Sequence, residues 1–335
     1  RFMQRQIFLN GNLGVFHIQV AALLALVDVM IAIVLARCHS VAAGAWFLAN
    51  PISILITGYH SQFDNLAILA GLVATMLLFG KAGRRASGFY TALFLLGVSL
   101  TVKHVLIFFP LWLLFRREFD LKSRIAIVLV PFAVFSLGFA PFLSDEQARA
   151  GIVENVFRYK MTHMAGFYPR LVGMVLPPRF FDVVFAWVPV MSGFKFVWFV
   201  SVVVAGYLLR RAQALNLLPL YLVSMCVFSS QLADQYLAIP LVGCAVYRRS
   251  PFVWAYMAMA TVYLFTSPDN IACQPPFDGW APRIAAVGMT YWRPFSMLFA
   301  FLLLRIVQEC RKKHLDGDDP AMVVESDDGP VAKDG

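Results

Sequence analysis

Long apolar runs without interruption leave this chain few ways to fold. Stretches such as "LAILAGLVATMLLFG" (66–80) and "RIAIVLVPFAVFSLGFA" (124–140) continue for about 12 to 22 residues with no alternation of polar and apolar positions. A barrel strand that faces lipid on one side and a lumen on the other needs that alternation. In hydrocarbon only helices and closed barrels satisfy their own backbone polar groups, so the runs predict helices. A chain that is 60% hydrophobic and only 14% charged, with a mean hydropathy of +0.72, is too apolar for a water-soluble domain of 335 residues. The expectation is an all-α, polytopic membrane bundle of ten or eleven helices.

Eleven segments qualify, at 14–37, 41–57, 65–80, 88–101, 104–116, 124–143, 193–210, 216–231, 236–247, 251–267 and 288–306. Several are shorter than the ~20 residues of a full crossing, which predicts tilted, broken or buried helices around a site. The formal charge of +9 gathers between the runs, in "GKAGRRAS" (80–87), "FRREFDLKSR" (115–124), "LLRRAQ" (208–213), "VYRRS" (246–250) and "RIVQECRKKH" (305–314). Basic clusters of this kind mark cytoplasmic loops rather than a nucleic-acid surface. With all five inside, the spans alternate without conflict, and 57–65, 101–104, 143–192, 230–236 and 267–288 fall on the opposite face. Residues 1–13 fall there too, and are expected to end an outer loop that follows a further helix upstream of Arg1. Residues 14–310 form the bundle, and the polar stretch 311–335 reads as a disordered cytoplasmic tail. The loop from Ser144 to Ser192 begins with Ile152, Val156 and Tyr159 at helical spacing, as an interfacial segment on the outer face would. The five cysteines are scattered without metal-ligand or disulfide-framework spacing.

Polar residues at membrane depth need a partner or a task, because a charge there costs at least a few kcal/mol. The stretch "ITGYHSQFDN" puts Tyr59, His60, Gln62, Asp64 and Asn65 between two apolar runs. Asp64 or Asn65 as the cap of a helix starting at Leu66 is one reading. A site is the other, since His60 with Asp64 can move protons and makes at most a partial metal site, leaving dependence on a divalent metal open. Lys103 and His104 sit at the outer end of a helical hairpin, where Lys103 either snorkels to lipid phosphate or binds an anion in a cavity. Asp234, Gln235 and Tyr236 mark another outer helix end. Arg158, Lys160, His163 and Arg170 in the long loop suit a phosphate or lipid headgroups equally. One outer-face cavity with cations, a carboxylate and amides fits a lipid-linked phosphate.

"NPISILITGYHSQFDN" and "LTVKHVLIFFPLWLLFR" resemble motifs of the lipid-linked-sugar glycosyltransferases of the GT-C type. The likeness is greatest to the dolichyl-phosphate-glucose glucosyltransferases of the asparagine-linked glycosylation pathway and their bacterial relatives. The first stretch is similar to that family's proline, apolar run and His-x-x-Phe-x-Tyr-Asn turn, with Asp64 in place of the tyrosine. The second is similar to its Phe-Lys-His hairpin, matched by Lys103 and His104. "APFLSDEQ" with "NVFRY" resembles the next outer loop, without its Phe-Pro-Phe-x-Arg-Gly, and "ADQYLAIPLV" is similar to a Gln-Tyr segment of bacterial members.

The resemblance spans about residues 14–250 and implies a GT-C-like bundle. The implied reaction transfers a hexose, glucose above all, from a polyprenyl- or dolichyl-phosphate donor to a lipid-linked glycan or other acceptor. The membrane is that of the endoplasmic reticulum or the bacterial inner membrane, and the partners are the donor, the acceptor and membrane lipids, with no nucleic acid. The donor sugar-phosphate is then a substrate rather than a cofactor. Catalytic roles go to Asp64 and His60. Substrate binding goes to Tyr59, Gln62, Asn65, Lys103, His104, Arg158 and Gln235. The family's acidic base lies in a first outer loop that is absent here, so it is expected in the sequence upstream of Arg1 or is replaced by Asp64. A transporter or flippase of a lipid-linked or anionic solute, or a degenerate non-catalytic relative, would use the same cationic cavity without chemistry.

Overall fold

The computed structural model describes residues 13–59, 62–154, 188–229, 234–266 and 297–311, and among these every regular element is helical. The first helix, α1 (Leu13–Cys38), runs 26 residues. It ends at His39 and Ser40, whose hydroxyl caps α2 (Val41–Leu48) by accepting the Ala43 N–H at 3.2 Å. Pro51 has no N–H to offer a continuing helix, so α2 stops before it and the chain restarts from an Asn50 cap. The restart bends the path by 42° and winds as a π-helix over Ile54–Tyr59, a local widening that recurs where a helix serves a site.

The next helix, α3 (Asp64–Phe79), packs along both α1 and α4 (Ala86–Val102), and α4 packs in turn on α6 (Leu121–Leu137). Lys103 adopts an extended conformation that ends α4, and the segment His104–Leu114, including α5 (Phe109–Leu114), turns back by 117°. Buried aromatics hold this reversal. The Tyr221 hydroxyl on α9 (Leu217–Phe228) donates to the Val105 carbonyl at 2.9 Å and accepts the Phe108 N–H at 3.3 Å. Trp112 stacks edge-on against Tyr221 and donates to the Val202 carbonyl on α8 (Val188–Leu208). A side chain at Gly206 would collide with the Trp112 ring, its Cβ only 2.5 Å from the ring edge.

After α6, whose first turn is capped by Asp120, comes the short α7 (Glu146–Ile152). The Ser123 side chain and backbone N–H hold the exposed Asp120 carboxyl below its ordinary range. Later elements are α10 (Leu241–Val246), α11 (Pro251–Thr266) and a helical stretch at 297–311 whose Phe299 packs edge-on against Tyr256 and Tyr263. The sequence-predicted segments coincide with these elements to within a few residues, except that 288–296 lies outside the described residues.

Among the described residues two helices, Ile18–Cys38 and Leu121–Phe142, are long and apolar enough to cross a membrane, and up to four if each bent pair counts as one span. Their outward faces are apolar: Leu23, Leu26 and Ile33 on α1, and Leu121, Ile125, Leu129 and Leu137 on α6, are all exposed. Shorter apolar helical stretches of 10–17 residues lie at Asp64–Phe79, Phe196–Leu208 within α8, Ala214–Phe228, Gln235–Val246 and Pro251–Phe265.

His39 is partly buried at the α1–α2 turn, and loss of hydration together with the Arg248 guanidinium holds its imidazole down to about 4. The unfolded chain takes up a proton near pH 6.5 that the folded chain declines until about pH 4. Stability is therefore complete above pH 6.5 and falls as the pH drops toward 4, by at most about 3 kcal/mol. His39→Gln in detergent should flatten the fall in thermal midpoint between pH 7.5 and 5; unchanged slopes would remove His39 from the acid response.

Candidate functional site

The polar stretch between the π-helix and α3 folds inward. The helix begins at Asp64 itself, Phe63 occupies the capping position, and no side chain caps the first turn. The capping role open to Asp64 or Asn65 is thus not the one they take, and both are buried instead. The Asp64 carboxylate, 2% exposed, accepts a hydrogen bond from the Lys103 ammonium at 2.6 Å. Lys103 keeps 17% of its side chain exposed and lies 5.3 Å above the ring of half-exposed Phe63. The ammonium placed on the outer face by the sequence is bound to a carboxylate 39 residues away. Position explains why it stays there: Lys103 ends α4, which packs along the full length of α3, so two helix termini meet at the same level.

Asp64 uses only one of its oxygens. Among the described residues its buried Oδ1 has no hydrogen-bond partner, a costly state for a carboxylate oxygen unless something else supplies a donor.

Asn65 points into a second polar group. Its amide nitrogen donates to the Asp28 carboxylate at 2.6 Å and to the Thr57 hydroxyl at 2.9 Å, with the Ser53 hydroxyl at 3.4 Å. Ser53 in turn donates to the other Asp28 oxygen at 2.8 Å. All four side chains are at least nine-tenths buried. Ser53 and Thr57, four positions apart, present their hydroxyls together, one just before the π-helix and one within it. Asp28 and its two hydroxyl partners were not among the residues singled out from the sequence. The available signal was a single acid within the otherwise apolar stretch 20–36 of α1, which by itself suggests a functional group.

Of the other sequence-predicted residues, Tyr59 closes the π-helix and Gln62 is partly buried beside Phe63, its N–H donating to the Ile56 carbonyl. His104 is exposed at the reversal next to Lys103. Gln235 is partly buried on the turn Asp234–Leu237 and shares no hydrogen bond with Asp64 or Lys103. His60 and Arg158, with Lys160, His163 and Arg170, lie outside the described residues. Among the described residues no three His, Cys, Asp or Glu side chains gather as a metal site.

The geometry joins Asp64, Lys103 and Asn65 from the predicted set and adds Asp28, Ser53 and Thr57. An arrangement with a buried carboxylate, a neighbouring ammonium and an unpartnered acceptor can hold a hydroxyl donor and balance an anion. No known protein family, curated protein or solved structure matches the chain.

Removing one member of a buried pair strands the other. Lys103→Met should destabilise by about 3–5 kcal/mol, whereas the double variant Asp64→Asn/Lys103→Met should recover most of the loss. Thermal midpoints in detergent rank the native protein, Asp64→Asn, Lys103→Met and the double variant; simple addition of the two single effects would mean that the pair is not coupled.

Proposed function

We propose that this chain is a membrane glycosyltransferase that moves a hexose, glucose in the first instance, from a polyprenyl- or dolichyl-phosphate donor to a lipid-linked glycan or similar acceptor on the non-cytoplasmic face. The observation that supports the reading is the buried Asp64–Lys103 pair with its unpartnered Asp64 Oδ1, set at an outer-face turn. The bundle around it would be GT-C-like, of ten or eleven helices in the endoplasmic reticulum or bacterial inner membrane. Its short helices would line the site while α1 and α6 face lipid.

In the proposed transfer the acceptor hydroxyl oxygen attacks the anomeric carbon. The bond from that carbon to the phosphate oxygen breaks, and the electron pair leaves with the polyprenyl phosphate. The hydroxyl proton goes to Asp64 Oδ1, the oxygen left without a donor. Lys103 has a role on each side of that step. Before transfer its charge balances Asp64; once Asp64 is protonated, the ammonium is free to turn toward the departing phosphate, which has gained the negative charge. The partial exposure of Lys103 leaves room for that movement. Asn65 and Asp28 serve as positioning residues, fixing the first turn of α3 and hence the Asp64 backbone. His60, Tyr59, Gln62 and His104 are assigned to sugar and acceptor contacts around the same turn, and Arg158 to the donor phosphate.

The test uses the full chain in proteoliposomes with radiolabelled polyprenyl-phosphate glucose and a lipid-linked glycan acceptor. Asp64→Asn should lower transfer by ~100-fold or more, the range expected for loss of a general base. The Asp64→Asn/Lys103→Met protein should be folded and equally inactive, which separates chemistry from stability. Transfer at the native rate by Asp64→Asn would overturn the assignment.

A further inference from the structure

Among the described residues one buried carboxylate, that of Asp28, has no charged partner, whereas buried Arg116 is paired with Glu118. Asp28 and Asp64 are both buried, and Lys103 compensates only Asp64. Among the described residues Asp28 has neutral partners alone, Ser53, Asn65 and the nearby Thr57 hydroxyl that shares the Asn65 amide. A carboxylate in this position calls for a cation or a proton.

The side chains around it also fail to settle their hydrogen bonds. The two amide hydrogens of Asn65 face three acceptors, Asp28 Oδ1, Thr57 Oγ1 and Ser53 Oγ. On the same amide, Oδ1 is buried with no donor among the described residues. A half-turn of that amide changes no volume, because its oxygen and nitrogen are nearly the same size. It would bring Oδ1 toward the Asp28 carboxylate, where two acceptors repel unless a positive ion lies between them.

We propose that Asp28, Ser53, Thr57 and Asn65 form a binding site for one sodium ion. In the bound state Asn65 presents Oδ1 in place of its NH2, and the ion is held by the Asp28 carboxylate, the Ser53 and Thr57 hydroxyls and the Asn65 carbonyl oxygen. All four ligands are hard oxygens, which excludes the soft transition metals. One carboxylate with three neutral oxygens matches a single positive charge. Calcium takes six to eight oxygens and commonly several carboxylates, and magnesium retains a shell of water that so buried a site would have to strip. The ligands come from α1, from the turn preceding the π-helix, from the π-helix itself and from α3, so binding ties three parts of the chain together. The ion would thus set the position of the first turn of α3, where Asp64 lies. The proposal is independent of sugar transfer and holds whether or not the chain is a transferase.

The experiment needs no substrate. The full chain is purified in detergent without sodium, and unfolding is followed by a thiol-reactive fluorophore that reports exposure of buried Cys226 and Cys244. Midpoints are compared in sodium chloride and in choline chloride at equal ionic strength, with and without sodium titration. Sodium should raise the midpoint, and the rise should grow with the logarithm of its concentration above half-saturation. Asp28→Asn should raise the half-saturating concentration by at least about tenfold, as loss of a charged ligand exceeds the effect known for outer-shell partners. Thr57→Val, which keeps the shape and removes one oxygen, should weaken the response in the same direction and covers the case in which Asp28→Asn does not fold. Equal midpoints in the two salts would overturn the proposal, as would a sodium response that both variants retain. A midpoint that responds to pH through Asp28 but not to sodium would mean that the carboxylate takes a proton instead, and would also overturn it.

Discussion

The carboxylate of Asp28 is the constraint around which the packing of α1, the π-helix and α3 is arranged. Buried in the apolar middle of α1, it cannot rely on water, and its hydrogen bonds have to come from other parts of the chain. Ser53 and Asn65 supply them, and Thr57 shares the same amide. Each partner arrives on a different element, so satisfying one carboxylate fixes α1 against both the π-helix and α3. With α3 placed, Asp64 is placed. Once Asp64 is buried at the level where α4 ends, Lys103 has a partner, and the chain can reverse at that point with a lysine inside rather than in lipid. Packing then completes what the polar contacts begin, as Tyr221 and Trp112 hold the returning segment from the opposite side.

Helix positions were legible because hydrocarbon imposes one requirement, internal backbone satisfaction, that any long apolar run meets in the same way. Boundaries were less so: the segment read as continuous over 41–57 is stopped by Pro51, and the one read from 124 starts at Leu121 behind an Asp120 cap. The site was legible only in part. Asp64 and Lys103 stood out as polar residues at helix ends, Asp64 as a cap or a catalytic carboxylate and Lys103 as a snorkelling or anion-binding side chain, but neither reading paired them. Their actual relation is tertiary, between positions 39 residues apart, and no local rule contains it. Asp28 was missed for the opposite reason. One acid among 26 residues barely lowers the hydropathy of a helix, so the pattern that identified α1 as a span also concealed its most consequential side chain. Ser53 and Thr57 are ordinary in apolar helices, where their hydroxyls return to the backbone, as Thr75 does to the Gly71 carbonyl. What sets the two apart is that their hydroxyls face Asn65, a fact of folding rather than of composition.

Close backbone approach does for the apolar part what hydrogen bonds do for the polar part. At Gly97 an added Cβ would sit 2.5 Å from that of Val134, so α4 and α6 meet more closely than larger residues allow. In lipid there is little hydrophobic gain in pairing helices, and such contacts hold them by dispersion and shape. Gly206 plays the same part under Trp112. The aromatic core and the small-residue contacts are thus complementary: large rings fill the space at the reversal, and glycines remove volume where helices run side by side.

Two carboxylates lie one helix register apart in function though they belong to different helices, and they differ in how their charge is handled. Asp64 has an ammonium within hydrogen-bonding distance that retains some access to the outside. Asp28 has only neutral donors and is sealed. In a medium of low dielectric these are different chemical positions. A carboxylate whose counter-charge can move is able to exchange that charge for a proton and release the ammonium to another anion, which is what a transfer step requires. A carboxylate enclosed by hydroxyls and an amide can only hold what enters the enclosure, and its influence passes through the helices it ties. Asn65 is bonded to Asp28 and adjacent in sequence to Asp64, so the carboxylate on α1 contacts the same turn of α3 that carries Asp64. Any change in what Asp28 binds is felt first at the residue next to Asp64.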